Sequence, residues 1–93
     1  MQSKIEYLRH EINHIDDELI NLLSNRMKVA RQIGEYKKKN NMTILQQRRW
    51  NEIIEKSKAQ AQKSGLSEAF ILKFINAIHA ESIDQQEEVF KES

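Results

Sequence analysis

Five polar side chains stand where a helix-period apolar stripe should continue: Arg26, Lys37, Arg49, Ser82 and Gln86. Arg26 and Lys37 are 11 residues apart, about three helical turns, so both project from nearly the same face. Arg49 stands four residues before Ile53 on a second stripe, and Ser82 and Gln86 follow Ile78 in steps of four on a third. Helices packed through these stripes would enclose three cations and several uncharged donors, with no carboxylate on the stripes themselves. Burying unpaired cations is costly, so such a cluster calls for an anionic ligand. Guanidinium groups grip carboxylates through two parallel hydrogen bonds, and a small molecule with two carboxylates fits the pattern.

Each residue also has a plainer reading. Arg26 can pack its stem and send its head to water. Lys37 belongs to the run Lys37-Lys38-Lys39, which would compensate a helix C-terminal dipole. Gln46 can be the far member of a capping box, Arg48 and Arg49 surface residues, and Ser82 and Gln86 polar residues that set the register of a helical seam. All of these must hold at once if there is no site, whereas one site explains the set. Other chemistries lack their residues. His10 and His14 have the spacing of a metal pair but fall on the outer face with no third ligand, so neither a metal nor a cofactor is expected. There is no cysteine, no Gly-rich phosphate loop and no Ser-His-Asp arrangement. His79, three residues before Ser82, either borders the site or is a packed histidine.

Three helices must position these groups. In the first, Ile5, Leu8, Ile12, Ile15, Leu19, Leu22, Arg26, Val29, Ile33 and Tyr36 recur at alternating steps of three and four, which is one long helix with an apolar seam. Ser3-Lys4-Ile5-Glu6 has the form of a capping box that starts it near Lys4, and Asn40-Asn41 stops it near Lys39. Gly34 inside it costs about 1 kcal/mol relative to Ala, which a close helix crossing there would explain. Thr43-Ile44-Leu45-Gln46 offers a second capping box, so helix two is expected from about Ile44 to Lys63, with Arg49, Trp50, Ile53, Ile54, Ser57 and Ala61 inward. Gly65 suits its left-handed end and Ser67 the next N-cap. Helix three is expected from Glu68 to Phe90, with a stripe of Ile71, Phe74, Ile75, Ile78, Ser82, Gln86 and Val89.

The first helix should be roughly 55 Å long, against a diameter near ~30 Å for a compact chain of this size. It overhangs any single-chain core, so its seam requires helices from a second copy. The 93 residues allow one domain, spanning 1–93. With no Pro and only two Gly, an all-α bundle is favoured over folds that need tight turns. A net charge of +1 makes whole-molecule attraction to nucleic acid or anionic lipid weak, so any anion binding is local. No apolar run approaches a membrane span, and Met1 to Glu11 has no signal-peptide core, so a cytoplasmic location is expected.

The ordered set of residues resembles the all-helical class of chorismate mutase. Leu8-Arg9, Ile12, Ile15-Asp16, Leu19, Leu22-Leu23 and Arg26 are similar to that family's opening helix; Ile33-Gly34, Lys37, Arg49, Glu81-Ser82 and Gln86 continue the match over essentially the whole chain. The resemblance implies an intertwined homodimer of three-helix chains that rearranges chorismate to prephenate without cofactor, metal or covalent intermediate. It implies that Arg26, with Arg9 reaching in from the other subunit, holds the substrate carboxylates, aided by Arg49 and Ser82. Lys37 and Gln86 would donate to the ether oxygen as the C–O bond breaks.

Two positions depart from the family pattern. Gln46 stands where many members have an acidic residue for the substrate hydroxyl, and Trp50 where a glutamate commonly follows the helix-two arginine. Gln46 can still hydrogen-bond a hydroxyl; Trp50 cannot accept one. Ile44-Leu45-Gln46, Arg49-Trp50 and Ala77-Ile78-His79 with Glu81-Ser82-Ile83 are also similar to mutase domains fused after DAHP synthase, so a fused or associated DAHP synthase domain is one possible partner. Two alternatives stay open: isochorismate-pyruvate lyase on the same fold, and a non-catalytic helical dimerisation or regulatory module.

Overall fold

The computed structural model describes residues 3–92; Met1, Gln2 and Ser93, the ends of the expected 1–93 domain, lie outside the described residues. Three helices follow one another: α1 (Lys4–Lys39), α2 (Gln47–Ser64) and α3 (Glu68–Lys91). Among the described residues no strand occurs. Ser3 opens α1 by accepting from the Glu6 amide at 3.2 Å, which satisfies one of the orphan donors of the first turn. Asn41 ends it in a left-handed conformation, φ 56°. The Met42 amide donates back to the Lys37 carbonyl at 2.8 Å, the wrap-around bond of a Schellman stop. Gly65, φ 76°, ends α2 in the same way, and Ser67 caps α3 by accepting from the Phe70 amide at 3.1 Å.

The start of α2 differs from the expectation. The helix begins at Gln47 rather than Ile44, and the Gln46 side chain makes no cap bond. Lys37 Nζ donates to the Ile44 carbonyl at 2.6 Å, which diverts that oxygen from helical use. Gln46 Nε2 donates to the Thr43 carbonyl at 3.3 Å, and its Oε1 does not accept from the Thr43 amide as a capping box requires. The residues of the anticipated capping box therefore tie down an extended connector.

Both α1 and α2 pack on α3 and not directly on each other. The α1–α3 crossing is close at Gly34: a Cβ built there would lie 3.1 Å from the Gln86 Cα and 3.2 Å from its Cγ. Nearer the C-terminus, Arg31 donates to Gln85 Oε1 at 3.2 Å and pairs with Glu88 and Glu92, while Lys38 donates to the Val89 and Glu92 carbonyls. These contacts fasten the end of α3 along α1.

The single chain buries little. Its buried apolar residues are Ala30, Ala61, Ile78 and Val89, none of them large and fully enclosed. The α1 seam lies open to solvent, with Ile12 57% and Leu22 64% exposed. The radius of gyration is 17.1 Å and the longest dimension 59 Å, against ~12 Å for a compact chain of this length.

Candidate active site

A pocket of about 470 Å3 opens where the C-terminal half of α1, the connector, the start of α2 and the middle of α3 meet. Its lining brings together Arg26, Lys37, Gln46, Arg49, Ser82 and Gln86, along with Trp50 and His79. Arg9 is not among them. It lies 17 residues before Arg26 on the same helix, about 25 Å away, beside Glu6, His10 and Asn13.

The core of the pocket is a hydrogen-bonded chain. Lys37 Nζ donates to Gln86 Oε1 at 2.8 Å and to the Ile44 carbonyl at 2.6 Å. Gln86, 4% exposed, is thereby turned with its amide nitrogen away from the lysine, and Nε2 donates to Ser82 Oγ at 3.2 Å. An ammonium carries three donors and an amide nitrogen two. Lys37 therefore retains one donor and Gln86 one, and Ser82 keeps its own O–H. Gly34 makes this possible, because a side chain there would push Gln86 away from Lys37. Both acceptors of Lys37 are neutral, and burial holds its pKa below the usual 10.5.

The three cations are not equally enclosed. Lys37 is half-buried, whereas Arg26 and Arg49 are exposed in the single chain. Arg49 also has a carboxylate within reach, Glu52 Oε2 at 3.6 Å; at an exposed i, i+3 position that pairing is weak. Of the three cations expected to be enclosed, the single chain encloses only Lys37, and the carboxylate beside Arg49, Glu52, lies off the α2 stripe. The cause is local: Arg26 projects from the uncovered α1 seam, and Arg49 sits in the first turn of a helix that begins late.

Sequence reasoning did not anticipate the Ile44 carbonyl, a backbone acceptor that leaves no trace in side-chain pattern, nor the Trp50–His79 stack. The two rings lie 4.0 Å apart at 23°. His79 does border the pocket, and its pKa is pushed below the usual 6.5 by burial first, then by Arg26 and Lys37.

A family model described as chorismate mutase type II matches residues 8–87. A bifunctional chorismate mutase/prephenate dehydratase of Aquifex aeolicus is 45% identical over 53 residues, which is 57% of this chain and 15% of that protein. One of the same name from Buchnera aphidicola is 34% identical over 91 residues, 96% of this chain and 24% of that protein. The chain thus spans a quarter or less of the length of these relatives, and both carry prephenate dehydratase, not DAHP synthase, in their names. With the match running from Leu8 through Glu87, across all three helices and every residue of the pocket, the chain belongs to the chorismate mutase type II family.

Proposed function

We propose that this chain catalyses the rearrangement of chorismate to prephenate, a step of Phe and Tyr biosynthesis, and that it does so as a cytoplasmic homodimer. The observation that carries the reading is the hydrogen-bonded Lys37–Gln86 pair, in which a charged and a neutral group each keep one unused donor, in a pocket that also holds Arg26, Arg49 and Ser82. In this reaction one C–O bond breaks as one C–C bond forms within a single molecule, and negative charge grows on the ether oxygen. Donors already oriented toward that oxygen stabilise the transition state more than the ground state. Removal of one such donor typically costs ~100- to 1,000-fold in kcat. Arg26, Arg49 and the Ser82 hydroxyl hold the two carboxylates, which also keeps the enolpyruvyl arm over the ring. Gln46 lines the same pocket. No group in this scheme forms a bond to the substrate.

The homodimer rests on the open α1 seam and on an apolar groove of about 440 Å3 on the α1–α3 face, lined by Ile20, Leu23, Met27 and Phe74. Exposed apolar surface on this scale marks an association site. A second copy lying along α1 would bring its Arg9 to this pocket, which the chain's own Arg9, about 25 Å from Arg26, does not reach. No helix among the described residues is long and apolar enough to cross a membrane, and nucleic acid is not a proposed partner. Incubating the purified chain with chorismate, following the loss of its ultraviolet absorbance and identifying the product, tests the reading. Prephenate supports it; release of pyruvate or no reaction refutes it.

A further inference from the structure

The pocket is rich in donors and poor in acceptors. Arg26, Lys37 and Arg49 only donate. Gln86 Oε1 is taken by Lys37, and Ser82 Oγ already accepts from Gln86. No carboxylate is among the described residues that line the pocket. Chorismate carries, besides its two carboxylates, a ring hydroxyl whose proton needs an acceptor. Gln86 Oε1 and Ser82 Oγ each keep a second lone pair, but the lining side chains whose oxygen or nitrogen acceptors take no hydrogen bond at all are Tyr36, Gln46 and His79. Tyr36 is 63% exposed, and Gln46, whose Oε1 is free, is anchored through Nε2 to the Thr43 carbonyl of the exposed connector rather than to a helix or a packed ring. His79 is half-buried on α3 and its ring is held flat against Trp50.

We propose that His79 is a specificity-determining residue of this site: as a neutral imidazole clamped against Trp50, it accepts the hydrogen bond of the substrate's ring hydroxyl. This rests on the chorismate mutase reading given above. A neutral imidazole always presents one bare nitrogen, whereas an imidazolium presents none. The groups that face His79 keep it in the first form. From α1 these are the cations Arg26 and Lys37, and from α2 the neutral Trp50; Arg49, also on the lining, is exposed with Glu52 beside it. A proton on the ring would join two cations, and the lowered pKa of His79 agrees with that placement. The ring is fixed before ligand arrives, so little side-chain freedom is lost on binding.

The test uses two competitive inhibitors, a cyclic dicarboxylate with a ring hydroxyl and its deoxy counterpart, against wild type, His79→Phe and Gln46→Leu, with chorismate turnover as the assay. A neutral hydrogen bond corresponds to roughly a three- to tenfold preference for the hydroxylated inhibitor in wild type. Phe keeps an aromatic face against Trp50 and removes the acceptor, so the preference should fall to about one while binding of the deoxy inhibitor changes little. A preference that persists in His79→Phe and disappears in Gln46→Leu overturns the proposal and assigns the hydroxyl to Gln46. Wild type also carries a test that needs no variant. Acidification through the His79 pKa, below the usual 6.5, should abolish the preference, because the proton removes the acceptor while any added attraction to the carboxylates cancels in the ratio. A ratio unchanged down to the loss of folding overturns the proposal. If wild type does not turn over chorismate at all, the functional reading falls and this inference with it; turnover with an unaltered ratio in His79→Phe sinks the inference alone.

Discussion

Gly34→Ala measures how tightly the site is built into the fold. On helix propensity alone, the substitution should stabilise α1 by about 1 kcal/mol. The new Cβ, however, would lie 3.1 Å from the Gln86 Cα and 3.3 Å from its Cβ, whereas carbon atoms rest at about 3.5–4.0 Å. The nearest obstacle is backbone and cannot rotate away, so α3 must retreat by about 0.4 Å. Overpacking of this kind typically costs ~1–3 kcal/mol. The net expectation is a loss of up to about 2 kcal/mol, opposite in sign to the propensity. Retreat of α3 also carries Gln86 Oε1 away from Lys37 Nζ, 2.8 Å distant in the native crossing. A displacement of about 1 Å costs on the order of 100-fold in rate, so about 0.4 Å scales to roughly sixfold in kcat. Urea unfolding followed by circular dichroism, at matched chain concentration, reads the first quantity, and chorismate turnover the second. Gly65→Ala is the control: its φ of 76° strains any side chain but nothing lies within 4 Å of the added carbon. It should cost about 1 kcal/mol and leave kcat alone. A Gly34→Ala chain that gains stability and keeps full turnover would refute the close crossing and the coupling of fold to donors.

Three further outcomes follow from the same geometry. Arg26→Ala should lower turnover by at least ~100-fold with little change in thermal unfolding, because the side chain is exposed in the single chain; unfolding of the variant would assign Arg26 a structural role. Mixing inactive Arg9→Ala with inactive Arg26→Ala should restore up to about a quarter of wild-type activity, the yield of one intact site per heterodimer under random exchange; no recovery despite exchange shown by mass spectrometry would place Arg9 outside the partner's site. In kcat/KM, which reports the free enzyme, the plateau should reach below pH 6.5, since the His79 pKa is lowered, and should end on the alkaline side below 10.5, where the lowered Lys37 loses its proton; a Lys37→Gln profile that keeps the wild-type alkaline limb would remove Lys37 from that assignment.

Periodicity made most of this architecture legible. The steps of three and four from Ile5 to Tyr36 place α1 at its observed bounds, and the stripe from Ile71 to Val89 is the face of α3 that packs. Such patterns report which face is buried, because burial is what selects apolar residues. They do not report where a backbone carbonyl goes. The late start of α2 follows from Lys37 capturing the Ile44 oxygen, a bond between residues seven apart that no capping pattern encodes. The Arg31 clamp is a partial exception: Gln85, Glu88 and Glu92 share one face of α3 by spacing, but their partner on α1 is set by the helix crossing. Gly34 carried the opposite kind of information. Its helix-weakening identity marked a close approach, and the structure supplies what approaches, Gln86. The exposure of Arg26 and Arg49 in the single chain matches the plainer reading the sequence also offered, an arginine head in water and a surface residue, which the stripes alone could not choose over an enclosed site.

The bare α1 seam connects stability to catalysis in the proposed dimer. The C-terminal half of α1 works within its own chain: Arg26, Gly34 and Lys37 meet α3, and Arg31 and Lys38 fasten it there. The N-terminal half, from Ile5 to Leu22, has exposed apolar residues and carries Arg9 beyond reach of the chain's own pocket. The apolar surface that drives association therefore lies on the segment that bears the missing cation. Covering the seam and delivering Arg9 are one event, so a partner that stabilises the fold also completes the anion site. A chain held monomeric would keep the Lys37–Gln86 pair, which depends only on intrachain contacts, but would bind a dianion with one cation fewer. Its deficit should fall mainly on substrate affinity rather than on the chemical step.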